Sequence, residues 1–348
     1  MEGRLPQELI DEVMSLTEEQ KRALARALKG MVASELAMSA GLAVPTKCPH
    51  CGGEHVARKG KDARGNQRYL CRDCNRTFGA STLSIMGQTK PAEPQWMAYA
   101  EGMADGRTLR ELQERCCVTP ETSWFMRMRV LEAMGRRLDR FRSGPGVAVE
   151  AAGKMVHESF KGNNKRGGFE MPRRRHKSGK SLHVRGCSGQ QVCVLCAVND
   201  RGDVHATVMG RAHGNAGLIE ASLGGVIEPG THLITDDLKS YGRVAKSLGC
   251  THEARPSKPE KGGKALGMVN EAHKRLERFL DRFHGVSTRR LPRYLDWFMW
   301  LEQFRRSDAD RRDLVTREAM TGDYDTTIRE IFAEPRFDMA FWGDTEVA

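Results

Sequence analysis

Two sets of residues in this 348-residue chain have the types and spacing to do chemistry. The first is Cys48-Pro-His-Cys51 with Cys71-Arg-Asp-Cys74, two CxxC turns separated by nineteen residues. Each turn puts two thiolates on one side of a tight loop, and two such turns complete a tetrahedral four-sulfur zinc site. Four thiolates leave no open position for a substrate, so the Zn2+ expected here is structural. His50, inside the first turn, is a competing ligand that a complete cysteine set does not need. Cys116, Cys117, Cys187, Cys193, Cys196 and Cys250 have no second matching pair. Cys193 and Cys196 fall inside the apolar run VCVLCAV and read as small buried hydrophobes of a strand.

The second set is spread along the second half of the chain. Asp236 follows His-Leu-Ile-Thr, so it stands at the C-terminal end of a short apolar strand, where an acid can point into a cleft. Further on, Asn270, His273, Lys274 and Glu277 fall on consecutive turns of one helical face. Oxygen and nitrogen ligands facing an acidic strand end are the ingredients of a divalent-metal site for phosphoryl transfer, with Mg2+ or Mn2+ as the metal. An ordinary amphipathic helix with i, i+4 pairs is the plainer reading of the helix alone.

Basic residues form a third group. Arg127 and Arg129 lie on the second helix of a helix-turn-helix pattern over residues 107–134, where a basic face would suit a DNA groove. Arg173, Arg174, Arg175, Lys177, Lys180 and Arg185 crowd a loop between two β-type segments. They read as an arm that tracks phosphates without regard to sequence. The formal net charge of +11 fits a polyanionic partner, double-stranded DNA.

These groups need elements to hold them. Residues 7–40 carry helical periodicity, and residues 45–80 are too poor in long apolar side chains to fold without the metal. Helical periodicity returns from Pro94 to Leu138, with one helix ending near Cys116, a turn at Val118–Pro120, and Thr119 or Thr122 as the next cap. After Ser143–Gly146, short β-type runs alternate with loops, NDRG at 199–202 making a hairpin turn. Two helices follow, around Gly267–Phe283 and Leu291–Arg305. Hydrophobic content of 39% with 29% charge suits a folded chain. The acidic N-terminus lacks an apolar signal core, and no run approaches the length of a membrane span, so a cytoplasmic, nucleoid-associated protein is expected.

The cysteine quartet combined with the phrases ESFKGN, RGCSGQQVCVLCAVNDRGD, ITDDLKSY, VNEAHKRLERF and GVSTRRLPRYLDWF resembles the zinc-ribbon transposases of bacterial insertion sequences, specifically the Insertion Sequence 1595 family. The resemblance covers about residues 45–305. It implies a ribonuclease H-like catalytic domain with an Asp, Asp, Asn triad followed by a Lys. Asp236 matches the second Asp and Asn270 the Asn. Ala152 stands at the position of the first Asp, and Glu277 at the position of the Lys. An alanine cannot ligate Mg2+, so the resemblance also implies that this chain is catalytically impaired, whether by substitution of a working acid or by decay of the element. Glu150 shares the strand face of Ala152 at two-residue spacing and is a partial substitute, and Glu277 adds a carboxylate.

The expected architecture is therefore multidomain α+β. An N-terminal helical segment at 1–44 precedes a zinc ribbon at 45–82 and a helix-turn-helix domain at 90–142. A ribonuclease H-like α/β catalytic domain at 147–310 and a C-terminal tail at 311–348 complete it. The expected function is a DNA transposase that binds the terminal inverted repeats of its element, cleaves 3′ ends and transfers them to target DNA as a homodimer or higher homo-oligomer. A domesticated, non-catalytic DNA-binding regulator and a ribonuclease H-type nuclease are the alternatives.

Overall fold

The computed structural model describes residues 12–17, 20, 46–161 (apart from 64, 66, 80, 81, 83 and 88), 191–211, 215–256, 265–305, 315, 324, 326, 330 and 331. The chain forms two compact units, Met1–Leu83 and Ser84–Ala348. Within the helical reading of 7–40, residues 12–15 and 20 are helical, residues 16 and 17 are not, and the rest lies outside the described residues.

The first unit is a three-stranded antiparallel sheet of β1 (Val56–Lys61), β2 (Gln67–Cys71) and β3 (Thr77–Gly79). Its apolar content is small: Tyr69 and Phe78 stack at 5.7 Å between centroids beside the buried Cys48 and Cys71. So few apolar side chains cannot offset the entropy of ordering this unit.

The second unit begins with three helices, α1 (Glu93–Ala104), α2 (Leu109–Cys116) and α3 (Pro120–Arg136). Local sequence fixes their ends. Thr108 and Glu111 form a capping box, and Cys117 closes α2 in the left-handed conformation at φ 50°. Thr119 caps α3 by accepting the N–H of Thr122 at 3.2 Å, with Pro120 in the first turn. A five-stranded sheet follows, with β4 (Ala148–His157), β5 (Gln191–Asn199), β6 (Val204–Arg211), β7 (His232–Thr235) and β8 (Thr251–Ala254) in the order β6-β5-β4-β7-β8. β4, β5 and β6 form an antiparallel meander, whereas β7 and β8 run parallel to β4. That mixed order, a meander extended by parallel strands from its first member, is the ribonuclease H-like topology expected from the sequence. The NDRG hairpin joins β5 to β6: Asn199 Oδ1 accepts the N–H groups of Arg201 and Asp203, and Gly202 takes φ +85°.

Helices cover both faces of the sheet. On one face α4 (Ala216–Leu223) and α5 (Lys239–Ser247) bury Val149, Ala151, Leu195 and Leu233. On the other lie α6 (Gly267–Asp281) and α7 (Leu291–Gln303). Here one core joins Ala152, Val194 and Ile234 of the sheet to Val269 and Leu276 of α6, Trp297 of α7 and Met126 of α3. The helices of the stretch expected as a helix-turn-helix domain, 90–142, share the core of the sheet, and α3 packs along α7. The C-terminal tail, which carries no readable motif, contributes buried Val315, Tyr324 and Ile331 to the same core.

Candidate functional site

The cysteine quartet assembles as its spacing requires. The sulfurs of Cys48 and Cys74 are 3.7 Å apart, as are those of Cys51 and Cys71, and all four lie within 4.8 Å of one another. A Zn–S bond of about 2.3 Å gives a tetrahedron with edges of about 3.8 Å, so the donor set fits Zn2+. The two turns are built alike. Cys48 donates its N–H to Gly53 O at 2.7 Å and Cys71 donates its own to Arg76 O at 2.9 Å. The residue after each second cysteine, Gly52 or Asn75, takes positive φ (74° and 56°). His50 is not a member of the group; its backbone N–H points at Cys48 Sγ from 3.4 Å.

The second site lies where α6 runs along β4. Glu150, Ala152 and Lys154 share one face of the strand by alternation. Three α6 residues at four-residue spacing meet them in order. Val269 donates its N–H to Glu150 Oε2 at 3.0 Å, His273 hydrogen-bonds the backbone of Ala152, and Glu277 Oε2 pairs with Lys154 Nζ at 2.9 Å. The match is geometric: four helical residues rise about 6.0 Å, and two strand residues about 6.6 Å.

Asp236 and Asn270 flank this face. The parallel pairing of β4 with β7 runs from Ala148 opposite His232 to Ala151 opposite Thr235. Asp236 is the next residue, level with Ala152 on the continuing register. It is half-buried, and its Oδ1 accepts the N–H of Leu238 at 3.1 Å at the start of α5. Asn270 is exposed in the first turn of α6, seven residues before the equally exposed Glu277 and therefore on the same stripe.

The acids of this face are already engaged. Glu150 is buried, with Arg255 at 3.3 Å from one oxygen and the Val269 N–H on the other, so both its oxygens are engaged in holding α6 and Arg255. His273 is 8% exposed, and its Nε2 has no hydrogen-bond partner. Burial, with Lys154 nearby, pushes His273 down to about 4, so its ring is neutral at pH 7. Among the described residues, the four cysteines form the group of His, Cys, Asp or Glu side chains able to hold an ion. Among the described residues, those around Ala152 do not form a group of three or more His, Cys, Asp or Glu ligands.

The expected DNA-contacting arginines of α3 need correction. Arg127 is 1% exposed: it donates to Arg107 O at 2.6 Å and lies over the rings of Phe283 and Trp297. Arg129 is 5% exposed and donates to Ile85 O and Gly87 O, with its guanidinium over Phe125 and Tyr324. Both are core residues, since their guanidinium groups find carbonyls and aromatic faces inside the unit. Arg173, Arg174, Arg175, Lys177, Lys180 and Arg185 lie outside the described residues.

Sequence reasoning missed the residues that anchor the start of that basic run. Ser159 and Thr288 exchange two hydrogen bonds of 2.8 Å, and Lys161 Nζ donates to Phe283 O and Gly285 O. The phrases ESFKGN and GVSTRR are thus partners in space, a pairing that no local spacing reveals. No helix among the described residues is long and apolar enough to cross a membrane.

Comparison with known proteins gives two domain matches. Residues 42–75 match the InsA N-terminal domain, a zinc ribbon, and residues 156–303 match the ISXO2-like transposase domain. A protein described as an uncharacterized protein in transposable element ISH50, from Halobacterium salinarum, is 26% identical over 278 residues, or 78% of this chain and 91% of that protein. Solved structures with slight likeness include the pre-cleavage Mos1 transpososome, at 11% identity and TM-score 0.23 over 67% of this chain and 80% of that one. The Mos1 transposase paired-end complex with left transposon end has 11% identity and TM-score 0.26, over 67% and 77%.

Proposed function

We propose that this chain, a DDE-type DNA transposase by its ISXO2-like domain and InsA-type zinc ribbon, binds the DNA ends of its element but is impaired in cutting them. Zn2+ would sit among Cys48, Cys51, Cys71 and Cys74, where it closes the ribbon and supplies the folding free energy that its small core lacks. The catalytic triad reading assigns Asp236 and Asn270 to the reaction centre, with Ala152 at the first acid position. The observation that carries the impairment is the methyl group of Ala152 in register beside Asp236, where metal-assisted phosphoryl transfer needs a second carboxylate.

With an acid at position 152, that acid, Asp236 and Asn270 would hold Mg2+ or Mn2+, which would supply Lewis-acid chemistry for phosphoryl transfer. In this chain the residues present support binding. The net charge of +11 and the basic run from Arg173 to Arg185 favour phosphate contacts that weaken with salt. Pairing two ends calls for at least two copies of the chain.

The test uses zinc-loaded full-length protein and duplex DNA from the terminal inverted repeats flanking its gene. The expected result is a salt-sensitive shifted complex, with no nick in the labelled strand after incubation with Mg2+ or Mn2+. Nicking by the unaltered chain would refute the impairment. Failure to prefer those ends over random duplex would refute end binding.

A further inference from the structure

Two acids on the face around Ala152 are balanced by cations of the chain itself. Arg255 approaches Glu150 at 3.3 Å and Lys154 approaches Glu277 at 2.9 Å. The two pairs differ in burial. Glu150 and Arg255 have side chains only 5% and 15% exposed, and Glu150 also holds the first turn of α6. Lys154 and Glu277 are 28% and 56% exposed, and no other partner holds the Glu277 carboxylate among the described contacts. Lys154 comes two residues after Ala152 on the same strand face, and Glu277 comes one helical turn after His273, which bonds the Ala152 backbone. The ion pair therefore borders the small methyl of Ala152, next to a buried imidazole whose Nε2 has no partner.

We propose that Lys154 is an internal cation that takes the place of a divalent metal at this face: it occupies Glu277 and keeps the site closed to metal ions even when an acid is restored at position 152. This rests on reading Ala152, Asp236 and Asn270 as a former reaction centre. The physical basis is charge balance. A carboxylate paired at 2.9 Å with an ammonium gives up part of its attraction for a second cation, and the ammonium repels that cation, both effects being reduced by the exposure of the pair. Removing Lys154 has the opposite effect, because it releases Glu277 beside the restored acid and Asp236. Two changes, not one, separate this chain from a metal-binding site.

The test measures Mn2+ binding to zinc-loaded full-length protein from the loss of the free-ion electron paramagnetic resonance signal, with no activity readout. Mn2+ prefers oxygen donors, so the sulfur site does not compete for it. The variants are Ala152→Asp, Ala152→Asp with Lys154→Ala, and Ala152→Asp with Lys154→Gln, the last guarding against a packing defect from the truncated side chain. Melting curves verify folding of each. The expected result is Mn2+ affinity at least about tenfold higher in either double variant than in Ala152→Asp, a gain lost when Glu277→Gln is added. Equal affinity in the single and double variants would overturn the role of Lys154 while leaving the reaction-centre reading intact. Absence of binding in all of them would overturn both. Retention of the gain with Glu277→Gln would overturn the part assigned to Glu277.

Discussion

The carboxylate of Glu150 accepts the backbone N–H of Val269 at 3.0 Å, which ties the first turn of α6 to the middle of the sheet. Leu266, the residue before the helix, supplies no side-chain cap, so a strand residue far away in sequence does that work. A carboxylate there also complements the positive end of the helix dipole.

Truncating that acid leaves the buried N–H of Val269 without its acceptor and takes one of two carboxylates from Arg255, which keeps Glu253 at 2.7 Å. Glu150→Ala is expected to destabilise the second unit by about 3 kcal/mol, whereas Glu150→Gln, which keeps an acceptor, costs less. Urea unfolding followed by tryptophan emission measures it. A loss under about 0.5 kcal/mol would contradict the capping role.

Arg127 offers a different contrast. Arg127→Ala removes a buried donor to Arg107 O and the stacking on Phe283 and Trp297, and is expected to cost about 3 kcal/mol. DNA affinity per folded molecule should stay within twofold, roughly, because the guanidinium never reaches solvent. A clear drop in affinity with unchanged stability would restore α3 as a DNA-contacting helix.

Acid should weaken the second unit through its buried imidazoles. Burial holds both His273 and His205 down to about 4 in the folded state, against about 6.5 in an unfolded chain. Between those values the unfolded chain takes up protons that the folded one refuses, so stability is full above pH 6.5 and declines as pH falls toward 4. Comparing urea midpoints at pH 7.5 and 5 for the parent and for His273→Gln checks this, and the variant should show the shallower loss. Parallel losses would show that His273 takes no part. Tryptophan emission reports this unit alone, because residues 1–83 contain no tryptophan.

Zinc removal should act on the first unit alone. One Zn2+ per chain is expected by elemental analysis, and a strong chelator or Cys51→Ser should unfold the ribbon strands while the tryptophan signal persists. A ribbon that retains its structure in chelator would contradict the stapling role.

Much of this was legible in the order of residues, and the exceptions share a cause. The ribbon follows from spacing alone, because both CxxC turns are local. Thr119 and Pro120 announce α3, and NDRG announces the β5–β6 hairpin, for the same reason. Arg127 and Arg129 were misread because sequence reveals charge but not whether carbonyls and rings converge on it from residues up to nearly two hundred positions away, as Tyr324 does on Arg129. The tail seemed featureless since Val315, Tyr324 and Ile331 are too widely spaced to show a period, yet each finds a place in the core. The Glu277 departure was visible as a residue type. Its meaning was not, since the partner Lys154 lies 123 positions earlier.

The pairing of 150, 152 and 154 with 269, 273 and 277 also governs which length changes the protein can absorb. A residue gained or lost ahead of Gly267 leaves the spacing of Val269, His273 and Glu277 along α6 unchanged. A single deletion between Val269 and Glu277 turns everything beyond it by about 100° and withdraws it by about 1.5 Å, swinging Glu277 off Lys154 while Val269 keeps its hold. Natural insertions and deletions among relatives should therefore crowd before the helix and stop abruptly at its first turn.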